Sequence, residues 1–402
     1  MLALLMLSAA ASLQTGNRPL DRVVLTDGTR LEGRVVHENE ARLVLRQGSR
    51  ERVLDRAEIQ SADSRLAAWR EALDRWNRLD REDATRIADI GTFAQRLGLP
   101  EEARVFALRA IAVDPDNAVA RDLLGHEKKG KDWTFREGTR RWTWKERVEK
   151  AAAWRDGWTL ETTHWVLRTN LPLLAATNAI LDLENVYAIF YAELAPVVGA
   201  YHLDAPMRAQ IHADTASFPE GSGSRGFYDR EARLLAVGAA PELDRGLVVH
   251  EAVHQLLAEN AYHARGAKGA ISPWLDEGLA DWFRAVIAGP PGRFAFQPEG
   301  LDSRHVRAHA HARERYKLSR VLTFDSGDFH ASSRQDLKYA QAYTFVHFLM
   351  SGDGGRYRAR FDDFLRSAWS GKGSSTDLEA ALGAKVDAIE KAWTAWVLER
   401  AK

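Results

Sequence analysis

Short runs of alternating apolar and polar residues between residues 18 and 60 predict half-buried β-strands. The turn-forming pairs Asp27-Gly28 and Gln47-Gly48 separate these runs. We therefore expect a small β module over residues 18–60, folded as a short barrel or curled sheet, with nothing in it that resembles an active site. The predicted strands are Val23–Leu25, Leu31–Val36 and Ala41–Leu45.

Helical spacing of the apolar residues replaces this alternation over residues 61–130. Gly91, Ala103, Ala110 and Pro115 stand where the 34-residue tetratricopeptide pattern has Gly, Ala, Ala and Pro. The second repeat breaks down at residues 128–131, so we expect one or two tetratricopeptide-like hairpins. They act either as a spacer or as an arm that binds a protein partner. Residues 131–157 then read as a Trp-rich linker whose aromatic side chains pack on the flanking domains.

From residue 158 strand-like segments come first and helices follow, which is an α+β order. The segments 162–168 and 209–213 are typical of strands, and 226–229 with 233–237 predict a hairpin. Residues 173–195 predict a long amphipathic helix. Four more helices are predicted at 242–260, 273–287, 336–350 and 384–400. We therefore predict one further domain over residues 158–402.

Composition narrows the classes of function. The 402 residues contain 56 Lys and Arg and 56 Asp and Glu, so no global positive field draws the chain to nucleic acid. There is no cysteine, so any metal must be held by His and carboxylate. Residues 1–15 are typical of a signal peptide with an Ala-x-Ala cleavage site at residues 9–11, which predicts a secreted or periplasmic protein. We expect no membrane span in the mature chain.

A His-Glu-x-x-His pattern lies on the first of these helices, at His250, Glu251 and His254. Histidines four residues apart share one face of a helix, so both rings can reach one metal ion. Glu251 is rotated by about 100° around the helix axis, which suits a general base better than a third ligand. The next helix carries Glu277, which can complete a His-His-Glu zinc site, and Asp281, which can orient a ligand histidine.

These two segments resemble the gluzincin clan of zinc metallopeptidases, and within it the peptidase MA-like group of exported bacterial proteins. The resemblance covers about residues 158–400 and implies a zincin-like fold, one Zn²⁺ per chain and a peptide or protein substrate. It implies an oxyanion-stabilising Tyr at the start of a downstream helix, here Tyr339, with Tyr343 and Tyr228 as alternatives. It also implies that an edge strand, assigned to Arg233–Val237, pairs with the substrate. The matching residues are His250, Glu251, His254, Gln255, Pro273, Trp274, Leu275, Glu277, Gly278, Leu279 and Ala280.

The fold class predicted from the whole chain is α+β: a zincin-like peptidase domain preceded by a small SH3-like β module and a tetratricopeptide-like region. Two rival functions are a catalytically silent zincin-fold scaffold that uses the helical region and a structural protein without metal. The pattern Gly221-Ser-Gly-Ser-Arg-Gly226 is interpreted as a flexible loop, because it does not join a strand to a helix. His305, His309 and His311 are interpreted as part of a solvated helix face rather than as a second metal site.

Overall fold

The computed structural model describes residues 18–79, 83–219, 225–265 and 271–402. The predicted signal peptide and most of the glycine-rich pattern at 221–226 therefore lie outside the described residues.

The N-terminal module is a five-stranded antiparallel sheet in the order β4-β3-β2-β1-β5. The predicted strands are confirmed, and a small core of its own holds them together, with Val23, Leu43 and Leu45 fully buried. Gly33 lets strand β2 pack closely against β3, since a Cβ at this position would lie 2.6 Å from the Arg46 carbonyl oxygen. An SH3-like barrel stays a prediction. The strands are β1 Asp21–Leu25, β2 Arg30–Glu38, β3 Arg42–Gln47, β4 Arg50–Asp55 and β5 Ile59–Asp63.

Four helices follow, and the second and third form the antiparallel hairpin that the repeat pattern predicts. Gly91 permits it, because a Cβ there would lie 3.2 Å from the Ala103 carbonyl oxygen and 3.1 Å from Leu123 Cδ1. The hydrophobic core of these helices continues without a break into the C-terminal domain. Membership of the tetratricopeptide family stays a prediction. The helices are α1 Arg65–Asn77, α2 Ala84–Arg96, α3 Pro100–Val113 and α4 Ala118–Leu123.

The segment predicted as a linker is folded. It contains two strands of a small antiparallel sheet and one helix, which begins with a capping box between Thr143 and Glu146. Its tryptophans stack with cations, as Arg140 does over the Trp142 ring at 3.6 Å. The predicted Trp-rich linker thus has secondary structure of its own, which its composition did not indicate. The elements are β6 Glu127–Lys129, β7 Asp132–Glu137, β8 Arg140–Thr143 and α5 Trp144–Ala151.

The C-terminal domain begins with a mixed sheet in the order β12-β13-β11-β10-β9. Its three inner strands are parallel, and the two outer strands run antiparallel to their neighbours. The assignment of Arg233–Val237 as the edge strand is wrong, because β13 lies between β12 and β11. In the part of the chain that the structure describes, β12 and β9 form the two edges of this sheet. The strands are β9 Trp158–Glu161, β10 Trp165–Thr169, β11 Met207–His212, β12 Gly226–Asp229 and β13 Leu234–Gly238.

A long helix, α6 (Leu173–Glu193), crosses the interior and is followed by the short α7 (Ala195–Val198). Buried residues lie on almost every side of α6, so the predicted amphipathic pattern is wrong. By length and hydropathy α6 resembles a membrane span, yet 72% of its apolar window is buried inside the fold, as in a core helix. Asp182 on α6 binds the Arg245 guanidinium through contacts of 2.8 and 2.9 Å.

All four helices predicted in the C-terminal half are present, with several shorter ones that the sequence patterns did not show. The order of sheet first and helices after is compatible with the predicted α+β class. Gly352, Asp353 and Gly354 depart from helical geometry near the C-terminal end of α13. The elements are α8 Arg245–Arg265, α9 Pro273–Val286, β14 Ile287–Ala288, β15 Ala295–Phe296, α10 Ser303–Ala310, α11 Leu318–Val321, α12 Ser326–His330, α13 Gln335–Gly355, α14 Arg358–Trp369, α15 Ser375–Leu382 and α16 Val386–Arg400.

Close packing of α9 on α13 depends on Gly278. A Cβ at this position would lie 2.5 Å from Val346 Cγ2 and 2.7 Å from the Ala342 carbonyl oxygen. Because the backbone oxygen cannot move aside, only glycine allows the two helices to approach this closely. Gly278 directly follows Glu277, so the contact fixes the position of that carboxylate.

We expect Gly278→Ala to lower the free energy of unfolding by about 1–3 kcal/mol, the usual cost of forcing a methyl group into a packed core. Urea unfolding followed by circular dichroism measures the loss. Gly327→Ala in α12 is the matched control, since its nearest atom, Asp325 Oδ1, lies 3.4 Å away. Equal losses in both variants would contradict the role of Gly278.

Candidate metal and active site

The two motif histidines lie side by side on α8. Asp244 caps this helix by accepting a hydrogen bond from the Leu247 backbone N–H at 3.1 Å. One helical turn separates His250 from His254, and their Nε2 atoms lie 3.0 Å apart. The apolar flanks are buried, which fixes the helix in the domain and points the histidine face towards α9.

Glu277 on α9 faces the two histidines. Pro273 at the first turn and Ser272 before it start this helix, as expected from the preference of proline for that position. The Glu277 Oε2 atom lies 3.2 Å from His250 Nε2 and 3.3 Å from His254 Nε2. The three predicted ligands therefore form one group, with all ligand atoms within 4.8 Å of each other.

Two carboxylates decide which nitrogen of each imidazole faces Glu277. Asp281 Oδ1 lies 3.0 Å from His250 Nδ1, and Asp276 Oδ1 lies 2.8 Å from His254 Nδ1. An ionised carboxylate only accepts hydrogen bonds, so each Nδ1 is the protonated nitrogen. In neutral rings both Nε2 atoms then carry a lone pair directed at the other and at Glu277.

A cation fits this arrangement. Three lone pairs converge, and within the described residues the buried Glu277 Oε2 has no hydrogen-bond partner. Ligands about 2.0–2.1 Å from a tetrahedral zinc ion are about 3.3 Å apart, close to the separations found here. Two imidazoles and a carboxylate are also the donor set that zinc accepts in catalytic sites.

The charges around the histidines favour positive charge between them. Burial lowers the pKa of His250, but the Asp281 carboxylate outweighs this effect and raises it to about 9. Burial likewise opposes the charged form of His254, and the carboxylates of Asp276 and Glu277 raise its pKa well above the usual value. Both histidines hold the pKa of Glu277 below its usual value despite burial. The site thus stabilises either protons or a metal cation.

Glu251 lies beside this group, between α8 and the start of β12. A Cβ at Gly226 would lie 3.1 Å from Glu251 Cγ, so the missing side chain lets the strand pass over the carboxylate. Burial raises the pKa of Glu251, and the positive charge of His250 and His254 opposes the rise. A buried carboxylate of raised pKa is a better proton acceptor than an ordinary surface carboxylate.

The three tyrosine candidates lie in different surroundings. Tyr343 is fully buried, and its hydroxyl accepts a 2.7 Å hydrogen bond from the Asp302 backbone N–H. The Tyr228 hydroxyl donates to Glu259 Oε1 at 3.0 Å. Tyr339 is half-buried, and burial together with the charges of Glu277, Asp281 and Glu251 raises its pKa, so its hydroxyl stays protonated. Only Tyr339 combines exposure with proximity to the site.

His330, which no sequence pattern indicated, links Tyr339 to the candidate metal ligands. His330 Nδ1 lies 3.1 Å from the Tyr339 hydroxyl, and its Nε2 lies 3.7 Å from Glu277 Oε1. Lys338 secures the end of α12 that carries His330, because its buried ammonium donates to the Asp328 and Ala331 carbonyl oxygens at 2.7 Å each. No sequence motif indicates this contact, since α12 is short and its spacing from α9 is not characteristic.

Asp276 was also missed, although its position in Asp276-Glu277-Gly278 next to a predicted ligand was a usable signal. The interpretation of α10 as a solvated face is wrong in part. His309 is buried, with Nδ1 2.9 Å from Thr344 Oγ1, and burial lowers its pKa to about 3. His305 Nε2 lies 3.4 Å from Asp281 Oδ2, on the far side of the carboxylate that orients His250.

The mixed sheet, the helix with two histidines and the helix with a third candidate ligand are the arrangement expected of the zincin-like domain predicted from the sequence. In agreement, residues 209–399 match the family model of the Peptidase MA superfamily. The match runs from within β11 to the end of α16 and includes His250, His254 and Glu277. Searches of curated proteins and of solved structures gave no match.

We expect the purified protein to bind one zinc ion, and Asp276→Ala and Asp281→Ala each to weaken binding by about 10–100-fold. Each substitution removes the acceptor that keeps a ligand imidazole in the correct tautomer. Competition with a zinc-chelating dye measures the affinity. Asp336→Ala, an exposed carboxylate in the first turn of α13, is the control. Unchanged affinity in both site variants would contradict the assigned hydrogen bonds.

Proposed function

We propose that this chain is a zinc-dependent peptidase of the gluzincin type. The observation that carries the proposal is the convergence of His250 Nε2, His254 Nε2 and Glu277 Oε2 with Glu251 beside them. A structural metal site is usually closed by four protein ligands, whereas a catalytic site has three and keeps one position open. The three-ligand set and the adjacent carboxylate favour hydrolysis.

Glu251 acts as the general base in this mechanism. When bound, a zinc ion supplies a Lewis acid that polarises the scissile carbonyl and lowers the pKa of water. The Glu251 carboxylate accepts a proton from the attacking water and passes it to the leaving amine. Burial of Glu251 supports both steps, because it raises the pKa of the carboxyl towards the range in which the proton is easily taken and returned.

Tyr339 donates a hydrogen bond to the oxyanion that forms as the carbonyl is attacked. Its hydroxyl stays protonated, as the rise in its pKa requires. His330 Nδ1 lies 3.1 Å from the same hydroxyl, and this imidazole is the alternative donor at this side of the site. Tyr343 and Tyr228 are less suitable because their hydroxyls are engaged elsewhere.

The substrate backbone pairs with β12, the edge strand of the sheet that lies next to Glu251. The start of this strand passes over Glu251, so a peptide added to the edge runs past the general base. Backbone pairing supplies affinity that does not depend on the substrate sequence. We further propose that the protein acts outside the cytoplasm, as residues 1–15 predict.

Glu251→Gln should retain zinc and lose activity by about 10²–10⁴-fold or more, because the amide keeps the shape of the side chain and cannot accept the proton. Cleavage of β-casein, followed on gels with and without chelator, measures activity, and elemental analysis measures zinc. The same comparison tests the silent scaffold: a zinc-loaded wild type that cleaves no β-casein would support it. A fully active Gln variant would remove Glu251 from the mechanism.

Tyr339→Phe should lower kcat by about 10²–10³-fold with little change in KM, since the lost hydrogen bond forms only in the transition state. Tyr343→Phe is the matched control on the same helix. His330→Ala distinguishes the two donors: a larger loss than in Tyr339→Phe would transfer the main role to the histidine. A Phe variant with wild-type kcat would exclude Tyr339.

A further inference from the structure

A cleft of about 770 Å³ opens where the N-terminal β module meets the C-terminal domain. Strands β3 and β4 supply Arg46 and Glu51 to one wall, and residues 199–206 form another. The floor comes from the C-terminal half of α8. An ion pair of 2.7 Å between Arg46 and Asp204 connects the two domains at the cleft. The cleft therefore depends on the β module, which lies outside the family match.

The side chain of Gln255, which lies in this floor, has an unsatisfied hydrogen-bond acceptor. The side chain is 1% exposed, and its Nε2 donates a long hydrogen bond of 3.4 Å to the Arg208 carbonyl oxygen. Its Oε1 is buried and has no partner in the part of the chain that the structure describes. A buried acceptor without a donor is unfavourable, so a ligand with an N–H group in the cleft would be stabilised here.

The cleft adjoins the hairpin that carries the free edge strand. Glu259, which also lines the cleft, binds both arms of this hairpin: Oε1 accepts from the Tyr228 hydroxyl at 3.0 Å and from Arg233 Nε at 2.8 Å. Gln255 itself directly follows the metal ligand His254. The cleft and the metal site are thus formed by successive turns of one helix.

The direction of β12, together with antiparallel pairing of the kind that β12 makes with β13, decides which end of a peptide reaches the cleft. The strand starts at Gly226 over Glu251 and runs towards the turn before Arg233. A peptide paired antiparallel to β12 runs the other way, so its N-terminal flank leaves the strand at that turn. This flank is the part of a substrate that lies before the scissile bond.

The lining suits a polypeptide of mixed composition rather than a highly charged ligand. It contains equal numbers of cationic and anionic side chains, alongside apolar surface from the 199–206 loop and Met207. Such a lining accepts both a polar main chain and varied side chains. The charged residues are Arg46, Arg208 and Arg233, and Glu51, Asp204 and Glu259.

We propose that this cleft binds the segment of a polypeptide substrate N-terminal to the scissile bond, so that the β module takes part in substrate recognition. When the Gln255 amide turns towards the cleft, its oxygen accepts a backbone N–H of that segment. The inference rests on the proposed peptidase function for the identity of the ligand, and it extends the binding surface beyond the edge strand.

The test uses the full chain and a substitution that fills part of the cleft with a large side chain. Ala205→Trp places a large ring in the lining at an exposed position and removes no polar contact. Two fluorescein-labelled peptides from β-casein share the residues around one cleaved bond, or around a chosen bond if none is cleaved, and carry about two or about ten residues before it. Four strand residues span about 13 Å, so only the longer peptide extends past β12 into the cleft.

We expect the longer peptide to bind zinc-loaded Glu251→Gln protein at least about tenfold more tightly by fluorescence anisotropy, and Ala205→Trp in that background to abolish the difference. In the active chain the same substitution should lower the ratio of kcat/KM for the long peptide to that for the short one by a similar factor. Ala57→Trp, an exposed alanine outside the cleft, is the matched control and should change neither measurement. Arg208→Ala, which removes a lining cation, is a second cleft variant and should reduce the difference.

The outcomes distinguish failure of the cleft proposal from failure of the proposed peptidase function. Binding that depends on length and is lost in Ala205→Trp, but without cleavage by the wild type, would support the cleft and contradict the peptidase function. Equal binding of both peptides would overturn the cleft even if both are cleaved. A length effect that survives both Ala205→Trp and Arg208→Ala would overturn it as well.

Discussion

Three lone pairs directed at one point are the constraint on which the site depends. The Nε2 atoms of His250 and His254 lie 3.0 Å apart, and Glu277 Oε2 lies within 3.3 Å of both. Neutral imidazoles and a carboxylate repel each other at such distances unless a cation lies between them. Asp281 and Asp276 keep the rings in this orientation, because their carboxylates accept hydrogen bonds from the Nδ1–H groups of His250 and His254.

Contacts with other helices fix the positions of the helices that carry His250, His254, Glu277 and His330. Arg245 at the start of α8 is bound to the buried Asp182 on α6, and Gly278 lets α9 pack closely on α13. Lys338 secures the short helix that carries His330. A catalytic constellation loses rate when its groups shift by about 1 Å, so in the proposed peptidase these contacts away from the candidate metal ligands would preserve the active geometry.

The N-terminal part of the chain is more closely connected with the C-terminal domain than a separate module would be. The core of α1–α3 is continuous with that of the C-terminal domain, and the Arg46–Asp204 ion pair joins the β module to the loop before β11. The cleft between them lies next to the hairpin that carries the edge strand. In the substrate-binding proposal, this arrangement gives the β module a direct place in the recognition of a long substrate.

The sequence by itself determined the local features of this protein. A spacing of four on a helix fixes His250 and His254 on one face, and alternation fixes the strands of the β module, because both depend only on backbone geometry. The pairing of Glu277 with the histidines was predictable from its motif. The tertiary structure decided what joins distant segments: β12 rather than β13 forms the free edge, Tyr339 rather than Tyr343 faces the site, and His330 and Asp276 complete it. These depend on how strands are ordered and how helices pack, and no local pattern encodes that order.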